Sequence, residues 1–336
     1  MDDRKGGLEE ISRATGLSRS TVSKALNNCG SVSSDTKLSV LEAARALDYV
    51  PVQKKRVGRH DGRFIAAAVM PETPAYFWAE AARGMKKSAG EHPQLKLVSS
   101  LFSRLSEEDD FLYCLDYALD LRPDVLIVTP PVSANVQRRL SEATEQTSVV
   151  CFNETANFDF LFYVGADFYR DGVQLARAAA ETLEKKPRIL KISNLDLPMV
   201  GRRDEGFRRE LMNCAPHARW IGTISTGDFS DSVMPARLAR EIHDRYMDAF
   251  DAVYVSQGYL PQVVSALDKL RCDPDVAVLG YERAGRGGGE RVAALLEQDT
   301  FEQGYQCMEA VWRYLSEGEI PEGRKLYIHS RIGRGS

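Results

Sequence analysis

From Phe64 to Tyr281 the chain alternates short apolar segments with longer stretches that have the periodicity of amphipathic helices. Strands buried on both faces are near-continuous apolar runs, and parallel neighbours need a crossover connection, so this alternation predicts a mostly parallel α/β sheet. The predicted strands are 64–70, 95–101, 124–129, 148–152, 188–193, 220–225, 252–256 and 276–281. Because roughly 270 residues are too many for one such sheet, we expect two doubly wound lobes, with a ligand cleft between them beyond the carboxyl ends of the strands.

The charge of the chain changes sign near residue 63. Residues 1–63 carry 12 Lys and Arg against 8 Asp and Glu, a net charge of +4, whereas residues 64–336 carry a net charge of −8. Four basic residues and one glycine fall within 54–59. A short basic, Gly-containing stretch between two apolar-patterned regions indicates a linker, although a solvated loop without a partner fits this stretch equally well.

The first fifty residues contain three short helical patterns. Gly16 ends the first pattern, and Ser18 is a suitable N-cap for the second, whose apolar face includes Val22 and Ala25. Two short helices joined by a tight turn with Gly predict a helix-turn-helix, whose second helix can enter the major groove of DNA. We expect a third helix to end near Leu47, with that side chain facing the shared core.

Polar side chains of the second helix are suited to DNA. Arg19, Ser20 and Lys24 lie on its amino-terminal and outward side, so we expect them to contact base edges. Phosphate contacts that set the register are expected from Ser18, Thr21, Ser23 and Asn27. Solvated residues on the surface of a small helical bundle would show the same pattern.

Motifs of enzymes and metal sites are missing from the chain. It has no Gly-rich phosphate loop, no nucleophile elbow and no HExxH sequence. Its five histidines are isolated, and its six cysteines are far apart without a CxxC pair, which favours reduced, mostly buried thiols over a metal site or disulfides. We therefore expect no catalysis, no cofactor and no metal. The chain also lacks an apolar run of eighteen residues and a signal peptide, so we expect a cytoplasmic protein without membrane contact.

Side chains suited to binding a polyhydroxylated molecule follow several predicted strands. Phe77 and Trp78 follow the first strand, and aromatic faces can stack on the C–H face of a sugar ring. Planar amide, guanidinium and carboxylate groups form hydrogen bonds to hydroxyl groups with defined geometry. Such groups follow the later strands at Asn153, Arg203, Gln257, Glu282 and Gln298. Taken singly, each of them fits a surface or capping role equally well.

The segment from Leu8 to Pro51 resembles the DNA-binding headpiece of the lactose-repressor (LacI/GalR) family of bacterial transcriptional regulators. The similarity lies in ISRATGLSRSTVSKALNN, in Val-Ser and Ala-Ala pairs further on, and in the closing LDYVP. It implies that Arg19, Ser20 and Lys24 read operator bases, in agreement with their position on the helix.

The linker departs from the pattern of that family, which continues with Asn-x-x-Ala-Arg-x-Leu, a hinge helix whose Leu enters the minor groove. Here Val52 stands for the Asn and Lys55 for the Ala. Gly58 stands for the Leu, while Arg56 keeps the Arg. Gly in a helix interior costs about 1 kcal/mol relative to Ala and has no side chain to insert. We therefore predict that Lys54, Lys55 and Arg56 hold DNA through charge rather than through an apolar wedge.

Residues 63 to about 332 resemble the periplasmic sugar-binding-protein fold that forms the sensor domain of the same family. The motifs are PAYFWAEAARGM, VGADFYRDG, GRRDEGF, VLGYE and LLEQDTFEQG. The resemblance implies that Phe77 and Trp78 stack on a sugar ring and that Arg203 clamps the sugar. Glu282 corresponds to an Asp of the family, and Gln298 to a Gln that binds a terminal hydroxyl.

Other positions of the sensor region deviate from the family. Ser256-Gln257-Gly258 replaces an Asn-Asp pair, and Asn153-Glu154 replaces Asp-Arg. The ligand therefore need not be a common hexose or pentose. A regulator whose sensor domain has lost its small ligand and responds to a protein partner stays open as an alternative.

We interpret the chain as a sequence-specific transcriptional regulator, a repressor, whose operator affinity is controlled by a sugar or sugar derivative bound between two lobes. A homodimer on a palindromic operator is expected, because one helix-turn-helix reads only a half-site. Induction and corepression both fit such reciprocal coupling. The expected divisions are a headpiece at 1–51, a basic hinge at 52–63, lobe one at 64–165 and 298–322, and lobe two at 166–297 and 323–332.

Overall fold

The computed structural model describes residues 4–26, 36, 39–40, 43–44, 47, 63–103, 107–183, 186–193, 198–226, 233–247, 249–282 and 291–333. The chain divides into two compact units, Met1–Gly58 and Arg59–Ser336. No helix of the described residues is both long enough and apolar enough to cross a membrane.

The first unit contains the predicted helix-turn-helix, formed by α1 (Arg4–Thr15) and α2 (Arg19–Leu26). Gly16 ends α1 in the left-handed conformation, with φ of 68°. The Ser18 hydroxyl accepts a hydrogen bond from the Thr21 amide at 3.2 Å, which confirms the predicted N-cap of α2. The buried core of this unit consists of Ile11, Val22, Ala25, Val40 and Ala44.

Leu47 does not join that core. It is 41% exposed, so the prediction that it faces inward is wrong. Leu47 occupies a turn after the last described helical residues, and its side chain therefore lies beyond the small core that Val40 and Ala44 complete.

The second unit contains two parallel sheets. The first half of the chain supplies β1 (Phe64–Pro71), α3 (Ala75–Glu91), β2 (Leu95–Phe102), α4 (Glu107–Asp120), β3 (Val125–Val128), α5 (Ala134–Ala143), β4 (Ser148–Phe152) and β5 (Tyr163–Gly165). The second half supplies α6 (Phe168–Thr182), β6 (Arg188–Ser193), α7 (Pro198–Cys214), β7 (Arg219–Ser225), α8 (Met234–Tyr246), β8 (Ala252–Val255), α9 (Leu260–Lys269), β9 (Ala277–Tyr281) and β10 (Val292–Glu297). The last elements are α10 (Thr300–Glu317), β11 (Lys325–Tyr327) and β12 (Arg331–Gly333).

The first sheet has the strand order β11-β5-β4-β3-β1-β2, and the second has the order β12-β10-β9-β8-β6-β7. Neighbouring strands are parallel except for β12, which is antiparallel to β10. We name the first sheet with α3, α4, α5 and α10 lobe one, and the second sheet with α6 to α9 lobe two. The predicted architecture of two doubly wound parallel sheets is confirmed.

All eight predicted strands are present, with ends that differ by no more than one residue. One predicted lobe division needs correction, because residues 323–332 do not all belong to lobe two. Lys325–Tyr327 pairs with Tyr163–Gly165 in the first sheet, so the chain crosses into lobe two after Tyr327.

In lobe two, α6 and α7 cross with their backbones in contact. A Cβ atom at Gly172 of α6 would overlap the carbonyl oxygen of Arg203, and one at Gly206 of α7 would overlap that of Tyr169. Glycine permits this close approach because it has no side chain. The crossing determines where Arg203 and its neighbours lie.

In lobe one, α3 and α10 cross in the same way. A Cβ atom at Gly84 of α3 would overlap the carbonyl oxygen of Phe301, and one at Gly304 of α10 would overlap that of Ala81. Both crossings therefore rest on a reciprocal pair of glycines.

Candidate functional site

The helix-turn-helix presents part of the predicted DNA-contacting set. Arg19 is the first residue of α2, and its side chain is exposed. The Ser18 and Thr21 hydroxyls lie 2.8 Å apart, so these two predicted phosphate contacts hydrogen-bond each other at the start of the helix. Ser20, Ser23 and Lys24 belong to α2, where only their backbone is described. The remaining predicted DNA contacts, Asn27, Lys54, Lys55 and Arg56, lie outside the described residues.

In lobe two, the polar site is built around Arg203 of α7, whose residue is only 2% exposed. Its guanidinium carbon lies 4.9 Å from the ring centroid of Phe168 and 4.2 Å from that of Tyr281. These cation–π contacts keep the planar group in place. Its Nε and Nη2 atoms are buried without a hydrogen-bond partner in the described part of the chain.

Two carboxylates lie close to this guanidinium, just beyond hydrogen-bonding distance. Nη2 of Arg203 is 3.6 Å from Oε1 of Glu282 and 3.9 Å from Oδ2 of Asp171. Burial raises the pKa of Glu282 to about 7 and that of Asp171 to about 6, while the charge of Arg203 opposes both shifts. Arg203 therefore has negative neighbours, but its Nε and Nη2 atoms form no hydrogen bond with the described residues.

Hydrogen bonds hold both carboxylates in place. Nε2 of Gln298 donates to Oε1 of Glu282 at 2.6 Å, and Nε2 of Gln303 donates to Oε1 of Gln298 at 2.9 Å. Ser330 donates to Oδ2 of Asp171 at 3.0 Å. The Gln303 side-chain oxygen, at the end of this series of hydrogen bonds, is buried without a partner among the described residues.

Glu282 and Asn153 occupy the same kind of backbone position. Each follows a strand that ends in a buried aromatic residue, Tyr281 of β9 or Phe152 of β4, and each has a φ of 59°. Asn tolerates this left-handed conformation more readily than Glu does, so the backbone at Glu282 is strained. Asn153 is buried, and its side-chain oxygen is unpartnered within the described ranges.

The predicted aromatic pair lies at the start of α3. The rings of Phe77 and Trp78 meet edge to face at 4.8 Å, and Trp78 lies 6.4 Å from Phe152, measured between ring centroids. Both side chains are almost fully buried, and Nε1 of Trp78 has no partner among the residues described. The pair therefore packs beside the end of β4, next to Asn153.

Gln257 follows β8 close to Glu282, because a Cβ atom at the adjacent Gly258 would lie 3.7 Å from Cβ of Glu282. It is buried, and its side-chain oxygen has no partner in the part of the chain that is described. The adjacent Gly258 lies against the hydroxyl of Tyr76, the residue before Phe77. The loop after β8 in lobe two thus meets the aromatic turn of lobe one.

The structure brings three predicted residues, Arg203, Glu282 and Gln298, into one group. Two further residues of this group, Asp171 and Gln303, were not predicted from the sequence. Asp171 and Gln303 lie in the first turns of α6 and α10. A signal was available, since Asp171 and Gln303 each precede a glycine in the similar segments DFYRDG and DTFEQG.

No group of three or more His, Cys, Asp or Glu in the described ranges could hold a metal ion. Donor and acceptor groups around a buried guanidinium instead suit a neutral ligand with several hydroxyl groups, because each hydroxyl can accept from Arg203 and donate to a carboxylate.

Two doubly wound sheets with buried polar groups beyond their strand ends define the class of two-lobed binding domains, here in a chain that begins with a helix-turn-helix. Residues 65–320 match the family described as "Periplasmic binding protein domain", and residues 7–52 match "Bacterial regulatory proteins, lacI family". The chain therefore belongs to the periplasmic binding protein domain family, and its amino-terminal segment is similar to the lacI family of bacterial regulatory proteins.

Among curated relatives, the "Sucrose operon repressor" of Escherichia coli is 30% identical over 125 residues, which are 36% of this chain. Those residues span 37% of that relative's own length. A LacI-family transcriptional regulator from Silicibacter pomeroyi aligns over 98% of both chains, with 20% identity and a TM-score of 0.65. GanP, a glucose-galactose binding protein from Geobacillus stearothermophilus, covers 81% of this chain and 98% of its own, with 18% identity and a TM-score of 0.70. At these identities the structural likeness shows the fold.

Proposed function

We propose that this protein is a transcriptional repressor whose operator affinity is set by a sugar or related polyol bound at Arg203, Glu282 and Asp171. The observation that carries the proposal is the buried guanidinium beside two carboxylates, with two atoms that have no partner among the described residues. An unsatisfied buried donor costs about 1–3 kcal/mol, so a ligand that satisfies it gains that free energy on binding. Ligands without matching hydroxyl groups would leave these groups unpaired and would be rejected.

The names of the relatives support the same ligand class. One is a repressor of a sucrose operon, and another binds glucose and galactose. The aromatic turn of Phe77 and Trp78 adds an apolar surface of the kind that packs on a sugar ring. We place this activity in the cytoplasm, where operator DNA is found.

A homodimer is part of the proposal, and an exposed apolar patch on lobe one supports it. Tyr113 and Tyr117 lie one turn apart on α4 and are 77% and 54% exposed. Leu101 of β2 is 51% exposed, and its carbonyl oxygen lies 3.5 Å from Sγ of Cys114, the neighbour of Tyr113. A second copy that covers this patch would bring two helix-turn-helix units to one palindromic operator.

The ligand site is tested by thermal unfolding in the presence of sugars, polyols and sugar acids. A ligand at 100 times its dissociation constant should stabilise the wild-type protein by about 2.7 kcal/mol. Arg203→Gln should lose this response because it removes the charged donors. Arg177→Gln is the matched control, since Arg177 lies on the exposed side of α6 and pairs with Glu210.

A normal response in Arg203→Gln would refute the ligand site. A wild-type protein that none of these compounds stabilises would favour the other reading, in which a protein partner controls the sensor domain.

The DNA site is tested on an operator selected from random duplexes. Arg19→Ala should weaken binding to that operator by about 1–3 kcal/mol and relax the preference at one base pair of each half-site. Arg13→Ala, on the exposed surface of α1, is the control and should leave the preference unchanged. Equal losses on selected and random DNA would mean that Arg19 contacts phosphate only.

A further inference from the structure

A second cavity opens on lobe two, between α7 and the edge strand β7, with a volume of about 810 Å³. Lys191 of β6 and Trp220 of β7 line its floor, while Asp204 and Arg208 lie on the wall formed by α7. Arg203, Glu282 and Asp171 do not line it. Its volume is within the range of roughly 300–1,000 Å³ that is usual for small-molecule pockets.

We propose that this cavity binds a small planar aromatic acid that carries one negative charge and a ring N–H or O–H donor. The proposal does not depend on the ligand assigned to Arg203. It rests on the apolar end of the cavity, on the charges along its wall and on one buried acceptor atom.

The apolar end consists of Trp220 and Met212. α7 runs back from the end of β6 to the start of β7, so its last turns, with Met212, lie beside Trp220. The Trp220 ring meets Phe207 and Tyr254 edge to face, at centroid distances of 6.0 and 5.9 Å, and is thereby held in place. Met212 is 63% exposed. A flat aromatic ring would cover both side chains.

The wall carries the charge that selects an anion. Lys191 is neutralised by an ion pair with Asp204 within the cavity. Arg208, Arg209 and Glu205 have no ion-pair partner among the described residues, which leaves a net charge of +1. Two arginine guanidinium groups suit the two oxygens of a carboxylate.

Asp204 supplies the acceptor for a donor group on the ligand. Its Oδ2 atom forms the pair with Lys191 and accepts a hydrogen bond from the Ser193 hydroxyl at 3.4 Å. Its Oδ1 atom is buried with no hydrogen-bond partner in the described ranges, and the carboxylate lies near the Tyr254 hydroxyl, whose pKa burial and then the neighbouring Tyr281 and Asp204 raise. A buried carboxylate oxygen is stabilised by a donor, and a ring N–H or O–H is the donor that an aromatic acid can bring.

The experiment is isothermal titration calorimetry of the full-length protein with indole-3-acetate, which has an aromatic ring, one carboxylate and a ring N–H. We expect saturable binding at one site per chain. Tryptamine, which has the same ring but a positive charge, should bind at least tenfold more weakly. Naphthalene-1-acetate, which has the carboxylate but no N–H, should bind more weakly by about fivefold, since one hydrogen bond of about 1 kcal/mol is lost.

Variants locate the site. Arg208→Glu and Trp220→Ala should each weaken indole-3-acetate binding at least tenfold. Arg240→Glu is the matched control, because Arg240 is an exposed arginine on α8 of the same lobe, and it should leave the affinity unchanged. Arg203→Gln should also leave it unchanged. Circular dichroism of each variant checks that it is folded.

Four outcomes would overturn the proposal. Two concern the wild-type protein: no binding of indole-3-acetate, and equal binding of tryptamine. The other two concern the variants: unchanged affinity in Arg208→Glu or Trp220→Ala, and loss of binding in Arg203→Gln, which would place the probe at the Arg203 site. Sedimentation adds a fifth. If Arg208→Glu changes the oligomeric state, the cavity belongs to an interface between copies of the chain, and the proposal is wrong.

Discussion

The two lobes follow one plan but differ in the charge of corresponding side chains. In both, the fourth strand ends in a buried aromatic residue, and the next residue has a φ of 59°. Lobe one has the neutral Asn153 at that position, whereas lobe two has Glu282.

The helix crossings repeat this difference. Gly84 and Gly304 make the crossing in lobe one, and Gly172 and Gly206 make it in lobe two. Relative to these glycines, Ala81 corresponds to Arg203 and Gln303 corresponds to Asp171. Lobe one is therefore neutral at three positions where lobe two is charged.

Backbone contacts and side-chain chemistry are therefore separable in this fold. The glycines and the strand ends fix three equivalent backbone positions in each lobe, whichever side chain occupies them. The charge of lobe two brings buried polar atoms without partners among the described residues, and such atoms lower the stability of the folded protein.

The largest expected effect tests the equivalence of the two crossings. Gly172→Ala and Gly304→Ala each place a Cβ atom against a backbone oxygen that cannot move aside alone, so each should lower the free energy of unfolding by about 3 kcal/mol. Gly90→Ala on α3 has no atom within 4 Å of the added Cβ and should stabilise the protein by about 0.5–1 kcal/mol. Denaturant unfolding measures all three. A large loss of unfolding free energy in only one of the two variants would mean that the two helix crossings are not equivalent.

An intermediate effect concerns the charge at Glu282. Burial raises the pKa of this carboxyl from 4.5 to about 7, so the folded protein holds the proton more tightly than the unfolded chain does. Stability therefore falls as the pH rises from 4.5 towards 7. Glu282→Gln removes this loss and should raise the free energy of unfolding by roughly 2 kcal/mol at pH 8, with a smaller gain at pH 5.

Unfolding by denaturant at both pH values checks this expectation. Glu145→Gln, at an exposed position of lobe one, is the control and should show no such pH dependence. An equal gain for Glu282→Gln at pH 5 and pH 8 would mean that relief of charge burial is not its cause.

The smallest effect concerns two equivalent helix caps. Asp167 accepts a hydrogen bond from the Arg170 amide, and Asp299 accepts one from the Glu302 amide, both at 3.1 Å. Replacement of either Asp by Ala should cost about 1 kcal/mol, measured by thermal unfolding. Asn at the same positions keeps the cap and should restore most of the loss. Asn variants as unstable as the Ala variants would assign the effect to charge instead.

The sequence predicted eight strands because each contains a short apolar run, and six of them are largely buried, whereas the edge strands β2 and β7 are half-exposed. It did not predict β10, Val292–Glu297, whose Ala, Leu and Glu residues favour helices. Pairing with β9 makes this segment a strand, and that contact is not visible in local composition. β5, β11 and β12 have only three residues each, too few for a periodic pattern.

The candidate site divides in the same way. By itself the sequence determined the helix-turn-helix, the alternation of strands and helices, and the positions of Arg203 and Glu282 near strand ends, since these depend on local spacing and periodicity. Only the tertiary structure decided that Asp171 and Gln303 join them. Asp171 of α6 lies near Arg203 because α6 crosses α7, and Gln303 of α10 lies near Glu282 through its hydrogen bond to Gln298. That Nε and Nη2 of Arg203 lack partners among the described residues is likewise a property of tertiary packing, because it depends on which side chains the fold brings near them.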